Sequence, residues 1–325
     1  MMSEKTPDSG MVRDLLDPAR RLLLVTHVFP DGDAIGSLLG LGTLLHAQGK
    51  EVMLLCDDPV PEALAWIPGA AHVVQAPKGS HDLVISLDCS DRRRMGQAVG
   101  SSLPGVPLLN IDHHITNTCF GTVNWVDPSS VATAQMILEL AESLNWPLTK
   151  PVATALLTGI VTDTRAFRTQ NVGAAALRAA LRLMDAGASL KDVTRRTLEQ
   201  RPLASTRLWG EAIDRMELQD GILWTEVTQA MRKRWDLNED GDSGLTNFLS
   251  GVREASITIV FSERDDCMVD VGMRTGPDYD VAVVATQLGG GGHPQAAGCT
   301  LEGELRQVKR RVLSLVQQSL DQQRA

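Results

Sequence analysis

Apolar runs that stop on acids and histidines recur along this chain, and they limit its fold more than any other feature. RLLLVT leads to His27 and the segment HVFPDGDAIGS; HDLVISL ends on Asp88, within SLDCSD; VPLLNI ends on Asp112, His113 and His114; a fourth run closes on Asp163, within GIVTDT. Short runs that are apolar throughout read as strands of a parallel sheet covered on both faces, with helices such as AIGSLLGLGTLLHAQG between them. The expected fold is therefore α/β. In open parallel sheets ligands bind beyond the carboxyl ends of the strands, where His27, Asp31, Asp33, Asp88 and Asp112 to His114 fall. Carboxylates gathered at one edge repel one another unless cations lie between them. The pattern asks for divalent metal.

Each residue also has a plainer reading. Asp31 or Asp33 can simply cap the helix that begins near Ala34, where the dipole favours an acid. Asp88 alone would be a turn residue; within the set, its two oxygens suit a bridge between cations. Arg92, Arg93 and Arg94 read as a solvated turn, with Arg94 the one placed nearest a substrate. Adjacent histidines at a strand end point in opposite directions, so one of His113 and His114 can bind metal while the other faces elsewhere. Asp112 reads as an acceptor that orients an imidazole. Around Asp163, Thr158, Gly159 and Thr162 leave room for close approach. His46, His72 and His81 match no motif.

The rest of the chain bounds the setting. With 325 residues and 43% apolar content there is material for two cores. No stretch approaches the roughly 20 apolar residues of a bilayer span, and the N-terminus is polar, so a cytoplasmic location and no membrane partner are expected. Five scattered cysteines without a CxxC pair disfavour a disulfide framework or a zinc ribbon. A net charge of -9 disfavours a grip on long nucleic acid. Helical periodicity fills about 128 to 200; from about Ser205 the pattern turns mixed, with GILWTEV, SITIVFSE and CMVDVGMR as strands and ELRQVKRRVLSLVQQSL as a closing helix. The expected division is 1–188 for the metal-bearing domain, 189–204 for a helical linker and 205–325 for a smaller mixed α/β domain. No P-loop or nucleophile elbow is present; GGGGH lacks the Lys-Ser/Thr ending of an NTPase.

His27, Asp31 and Asp33 with the following AIGS, the strand-terminal Asp88, the DHH triplet and GIVTDT, in this order, resemble the DHH phosphoesterase family. GGGGHPQAAG resembles the glycine-rich signature of the DHH-associated domain, and the likeness runs from about Leu22 to Ala297. The resemblance implies an N-terminal parallel-sheet DHH domain with a helical connector, a smaller C-terminal domain and an active site in the cleft between them. It implies that His27, Asp31 and Asp88 bind one metal and Asp33, Asp88, His113 and Asp163 a second. Two divalent ions are expected, Mn²⁺ first, with Mg²⁺ or Co²⁺ admissible. Asp88, His114 and Asp112 are the implied catalytic residues, His114 facing the scissile phosphate. Arg274, Gly290, Gly291, Gly292, His293 and Arg94 are the implied substrate contacts. The implied activity is hydrolysis of short RNA to nucleoside 5'-monophosphates and removal of the 3'-phosphate of pAp. Linear or cyclic dinucleotide messengers are the alternative substrates, and a non-catalytic nucleotide-binding regulator a further reading. The expected partners are short RNA oligonucleotides or small nucleotide phosphates, with a homodimer left open. Arg165, where many relatives carry a small or apolar residue, and nearby Arg168 depart from the family pattern.

Overall fold

The computed structural model describes residues 9–237, 239–264 and 267–324. It forms two compact units, divided between Gln200 and Arg201. The segment 189–204 thus falls on both sides of the division.

In the first unit, helix α1 (Ser9–Leu16) precedes strand β1 (Arg21–Val25), helix α2 (Gly32–Ala47) and strands β2 (Glu51–Leu55), β3 (Val73–Val74), β4 (Leu83–Leu87), β5 (Leu108–Asp112) and β6 (Val123–Val126). The sheet order is β3-β2-β1-β4-β5-β6, and every pairing is parallel. Strands β1, β4 and β5 run through the middle, with β4 and β5 buried along their whole length. That explains their mainly apolar character, interrupted by Ser86, Asn110 and the terminal Asp112. Four helices follow: α3 (Thr133–Ser143), α4 (Lys150–Asp163), α5 (Ala174–Asp185) and α6 (Leu190–Thr194). One face of the sheet packs on α2, α3 and α4 through residues such as Leu38, Leu41, Ile137 and Leu157, and the other is covered by Met95, Val99 and Leu103. Strands β3 and β6 escape sequence reading because two to four residues carry too little period to stand out.

Close approach of α2 to α4 depends on two glycines. A Cβ on Gly32 would lie 2.3 Å from the Thr162 hydroxyl, and one on Gly36 would lie 2.4 Å from the Ala155 carbonyl oxygen. Without side chains there, the end of α4 comes to the start of α2, and Asp163 comes to Asp33.

The second unit begins with α7 (Leu203–Asp214) and strands β7 (Glu217–Gln219) and β8 (Ile222–Val227). Short helices α8 (Gln229–Arg234) and α9 (Leu245–Leu249) lead to β9 (Ile257–Glu263) and β10 (Met268–Thr275). Helix α10 (Ala282–Gln287), β11 (Gly291–His293), β12 (Ala296–Glu302) and α11 (Leu305–Arg324) close the chain. Its sheet, β11-β12-β10-β9-β8-β7, is mixed: β8 and β9 are parallel, and all other neighbours antiparallel. Val308, Val312, Val316 and Leu320 of α11 recur every four residues and are buried with Ile259 and Phe261.

Candidate metal and phosphate site

The acids and histidines of the first unit meet at the carboxyl edge of its sheet. Three groups have donor atoms mutually within 4.8 Å: His27, Asp31 and Asp88; Asp33, His113 and Asp163; and Asp88, His113 and His114. His27 and Asp88 lie just beyond β1 and β4, Asp112 ends β5 with His113 and His114 just beyond it, and Asp163 ends α4. Asp31 and Asp33 flank the start of α2. Asp31 does cap that helix, its Oδ1 accepting from the backbone N–H of Asp33 and Ala34 at 3.0 Å each. Capping and membership of the cluster coexist.

The imidazoles are fixed from behind. His27 Nδ1 lies 2.8 Å from the Val28 carbonyl oxygen and His113 Nδ1 lies 3.2 Å from that of Ser130. Each Nδ1 therefore donates, which leaves Nε2 as the free donor atom facing the acids. His27 Nε2 is 3.4 Å from Asp88 Oδ2 and 3.8 Å from Asp31 Oδ1. His113 Nε2 is 3.3 Å from Asp163 Oδ2, 3.7 Å from Asp88 Oδ1 and 4.0 Å from Asp33 Oδ2. Asp88 thus turns one oxygen to each histidine. Its backbone has φ +61, a left-handed conformation that a non-glycine residue adopts at some strain, here at the edge of the cluster.

His114 is set differently. Its Nδ1 lies 2.7 Å from Asp112 Oδ1, and Asp112 Oδ2 accepts from Asn117 Nδ2 at 2.5 Å. Asp112 is fully buried while His114 is 25% exposed, so the carboxylate orients a ring that still reaches solvent.

Charge crowding is severe. Burial, then the charges of Asp88 and Asp31, push the Asp33 carboxyl well above the usual range, against the backbone N–H groups of Thr133 and Ala134 at the start of α3, which hold it at 2.6 and 2.9 Å. Burial followed by Asp33, Asp31 and Asp88 does the same to Asp163. Burial would also raise Asp88, but the His27 hydrogen bond and the charges of His114, His113 and His27 outweigh it and hold Asp88 below the usual range. Burial would lower His114, yet Asp112, Asp88 and Asp31 raise it to about 9. Burial works likewise against His27, which Asp88 and Asp31 raise. A mixed set of carboxylate oxygens and imidazole nitrogens, crowded until two acids resist ionisation, suits divalent cations.

Two residues here carry no sequence signal. Thr133 donates its hydroxyl to Asp88 Oδ1 at 2.9 Å, and Asn117 ties Asp112 to the Cys89 carbonyl at 3.0 Å. Both act through geometry that no spacing announces. Arg94 is half-buried beside the cluster: its carbonyl accepts from Val28 N–H at 2.8 Å, and its charge opposes protonation of His27.

In the second unit, Arg274 of β10 and His293 of β11 both pair in register with Ala296 of β12. Residues directly opposite in antiparallel strands share a face, so Arg274, Ala296 and His293 form one row. Arg274 Nε donates to Asn247 Oδ1 at 2.6 Å, which fixes the guanidinium against α9. The glycines divide by role. A Cβ on Gly290 would lie 2.1 Å from the Gly298 carbonyl oxygen, and Gly292 has φ +138, so both are needed to lay β11 on β12; Gly291 faces open space.

Comparison with known proteins identifies the two domains. Residues 21–160 match the model of the DHH family, N-terminal domain, and residues 227–322 that of the DHHA1 domain. A bifunctional oligoribonuclease and PAP phosphatase NrnA of Thermus thermophilus is 38% identical over 92% of this chain and 90% of its own length. One from Bacillus subtilis is 27% identical over 86% of this chain and 89% of its own. The crystal structure of an exopolyphosphatase-related protein from Bacteroides fragilis superposes with a TM-score of 0.87 at 21% identity, covering 99% of this chain and 98% of that one. That last likeness is one of fold.

Proposed function

The chain belongs to the DHH family, with a DHHA1 domain behind its N-terminal domain, and from that premise we propose that it is a two-metal phosphoesterase acting on short RNA. It hydrolyses dinucleotides and short oligomers to nucleoside 5'-monophosphates and removes the 3'-phosphate of pAp. The observation that carries the reading is Asp88, whose two oxygens face His27 and His113 at 3.4 and 3.7 Å. The oligoribonuclease and phosphatase activities of the Thermus and Bacillus relatives supply the substrate class.

In this reading His27, Asp31 and Asp88 hold one divalent cation, and Asp33, Asp88, His113 and Asp163 hold the other. Manganese fits a donor set that mixes imidazole with carboxylate. Such ions, when bound, lower the pKa of water and offset charge on phosphoryl oxygens. The protein's own groups do the rest. Asp112 keeps His114 oriented and protonated near neutral pH, so its outer nitrogen donates a proton to the leaving oxygen. Thr133 and the start of α3 keep Asp88 and Asp33 in place. Arg94, Arg274, His293 and the glycine segment bind the substrate, favouring short chains over long ones. Short RNA as substrate puts the reaction in the cytoplasm.

The test is a substrate panel with the purified Mn²⁺-loaded protein: pApA, pGpG, pAp, an oligomer of about 24 nucleotides, cyclic dinucleotides and pyrophosphate. Dinucleotides and pAp should be turned over fastest, and Asp88→Asn should lower kcat by about 100-fold or more, as loss of a bridge and of its hydrogen bonds requires. Full activity of Asp88→Asn, or no hydrolysis of any phosphate ester, overturns the reading.

A further inference from the structure

The pair formed by His114 and Asp112 is itself held from behind, by a side chain to which the reaction above gives no part. Asn117 lies three residues after His114, and its backbone N–H donates to the His114 carbonyl at 3.1 Å, closing a tight turn. That turn returns the half-buried Asn117 amide to Asp112. Nδ2 donates to Asp112 Oδ2 at 2.5 Å and to the Cys89 carbonyl at 3.0 Å. Oδ1 accepts from the Cys119 N–H at 2.7 Å and from Asn110 Nδ2 at 3.3 Å. A carboxamide has two donor hydrogens and an oxygen that accepts two bonds, so every capacity of this one is filled.

These partners fix which way the amide points. Turned over, its oxygen would face the Asp112 carboxylate and the Cys89 carbonyl, both acceptors, and its nitrogen would face the Cys119 N–H. Aspartate, of the same shape, would set carboxylate against carboxylate. Two lengths of chain also meet here. Cys89 directly follows Asp88, and Thr118 N–H donates to the Ser90 carbonyl at 2.8 Å, so residues 117–118 are stitched to residues 89–90. With Oδ2 taken by the amide, Asp112 turns Oδ1 to His114 Nδ1 at 2.7 Å, and that nitrogen lies 3.6 Å from Asp88 Oδ1. The amide thus ties the support of His114 to the backbone beside Asp88.

We propose that Asn117 is a positioning residue for proton delivery, setting the His114 ring, through Asp112, in register with Asp88 and so with the leaving oxygen. The proposal rests on the phosphoesterase reading above. In that reaction water adds to phosphorus as the bond from phosphorus to the 3'-oxygen breaks. His114 gives the 3'-oxygen its proton, the water sheds a proton to solvent, and solvent restores the imidazole. Asn117 touches none of the reacting atoms, so its contribution scales with how much the leaving oxygen needs that proton. A ribose alkoxide needs it; p-nitrophenolate, a stable anion, does not.

The experiment measures kcat and KM for pApA and for the p-nitrophenyl ester of AMP in the Mn²⁺-loaded full-length protein and its Asn117→Ala and Asn117→Gln variants, with melting temperatures alongside. Asn117→Ala should lower kcat on pApA about 10-fold with KM within about threefold, while kcat on the aryl ester stays within about threefold. Asn117→Gln keeps the amide but carries it one methylene away; it should show the same split between esters, and it serves where Asn117→Ala is unfolded at the assay temperature. In a His114→Ala background, Asn117→Ala should cost no further kcat on pApA, because two residues acting through one group are not additive. Equal loss on both esters marks a structural residue and overturns the proposal. So does an unchanged kcat on pApA, or a full further loss in the His114→Ala background. A wild type that cleaves neither ester is a different result: it removes the phosphoesterase reading itself.

Discussion

The two units carry their polar residues in opposite ways. In the first, four carboxylates and two imidazoles lie mostly buried at the carboxyl edge of a parallel sheet, with backbone and side-chain groups behind nearly every one. In the second, Arg274 and His293 stand in a row on an antiparallel sheet whose β11 edge is exposed. Buried like charges are unfavourable unless something neutralises them, so the first arrangement suits cations. A row that runs from half-buried Arg274 to His293 on the exposed edge strand needs no such compensation, and anion binding there is part of the proposed reading. The contrast separates chemistry from recognition, and it can be broken by kinetics.

Among changes that leave every proposed metal ligand in place, Asp112→Asn should have the largest effect. It keeps the shape but removes the charge behind His114, and kcat should fall about 10- to 100-fold with KM changed much less. The His114 pKa should drop from about 9 toward its ordinary value, so the alkaline limb of the kcat profile should move to lower pH. A pH profile of kcat for both proteins checks this; an unmoved alkaline limb would separate Asp112 from His114. Arg274→Ala should do the reverse, raising KM for short RNA about 10-fold or more while kcat stays within about threefold, as expected for a charge-assisted contact used in binding. A loss confined to kcat would place Arg274 in the chemistry and erase the contrast.

The smallest effect is thermal and belongs to the first unit alone. In chelated protein, Asp33 and Asp163 have folded-state pKa values above their unfolded ones, so they bind protons that the unfolded chain has released. Stability they contribute is present below the ordinary carboxylate range and is lost as pH rises above it. His27 and His114 are raised as well, and their share is lost as pH rises through their folded values, about 9 for His114. Cations reverse this by favouring the ionised acids. The melting temperature with Mn²⁺ minus that with chelator should therefore be about 5 to 10 °C at pH 8 and shrink toward pH 5.5, by scanning calorimetry. A gap that widens on acidification would contradict the crowding argument.

Much of the first unit was legible in the sequence because each of His27, Asp88 and Asp112 follows a mainly apolar run, and a strand end fixes where the next side chain goes. The parallel sheet and the gathering of acids and histidines at one edge follow from that. Asp163 was readable for another reason, the small residues around it at the end of a helix. Thr133 and Asn117 were not readable, since their roles depend on hydrogen bonds across 45 and 5 residues of separation that leave no periodic trace. A left-handed turn at Arg165 to Phe167 was hidden too, because nothing in RAF announces positive φ. In the second unit the glycine segment reads as a flexible loop, but Gly290 and Gly292 are fixed by contact with β12, and that register depends on tertiary pairing.

The central claim is that Asp88 bridges two cations. Anomalous diffraction at the manganese edge from crystals grown with Mn²⁺ tests it most directly. Two peaks should appear, one between Asp88 and His27 and one between Asp88 and His113, each with an Asp88 oxygen as ligand. A single peak, or two peaks with Asp88 bound to neither, would contradict the account.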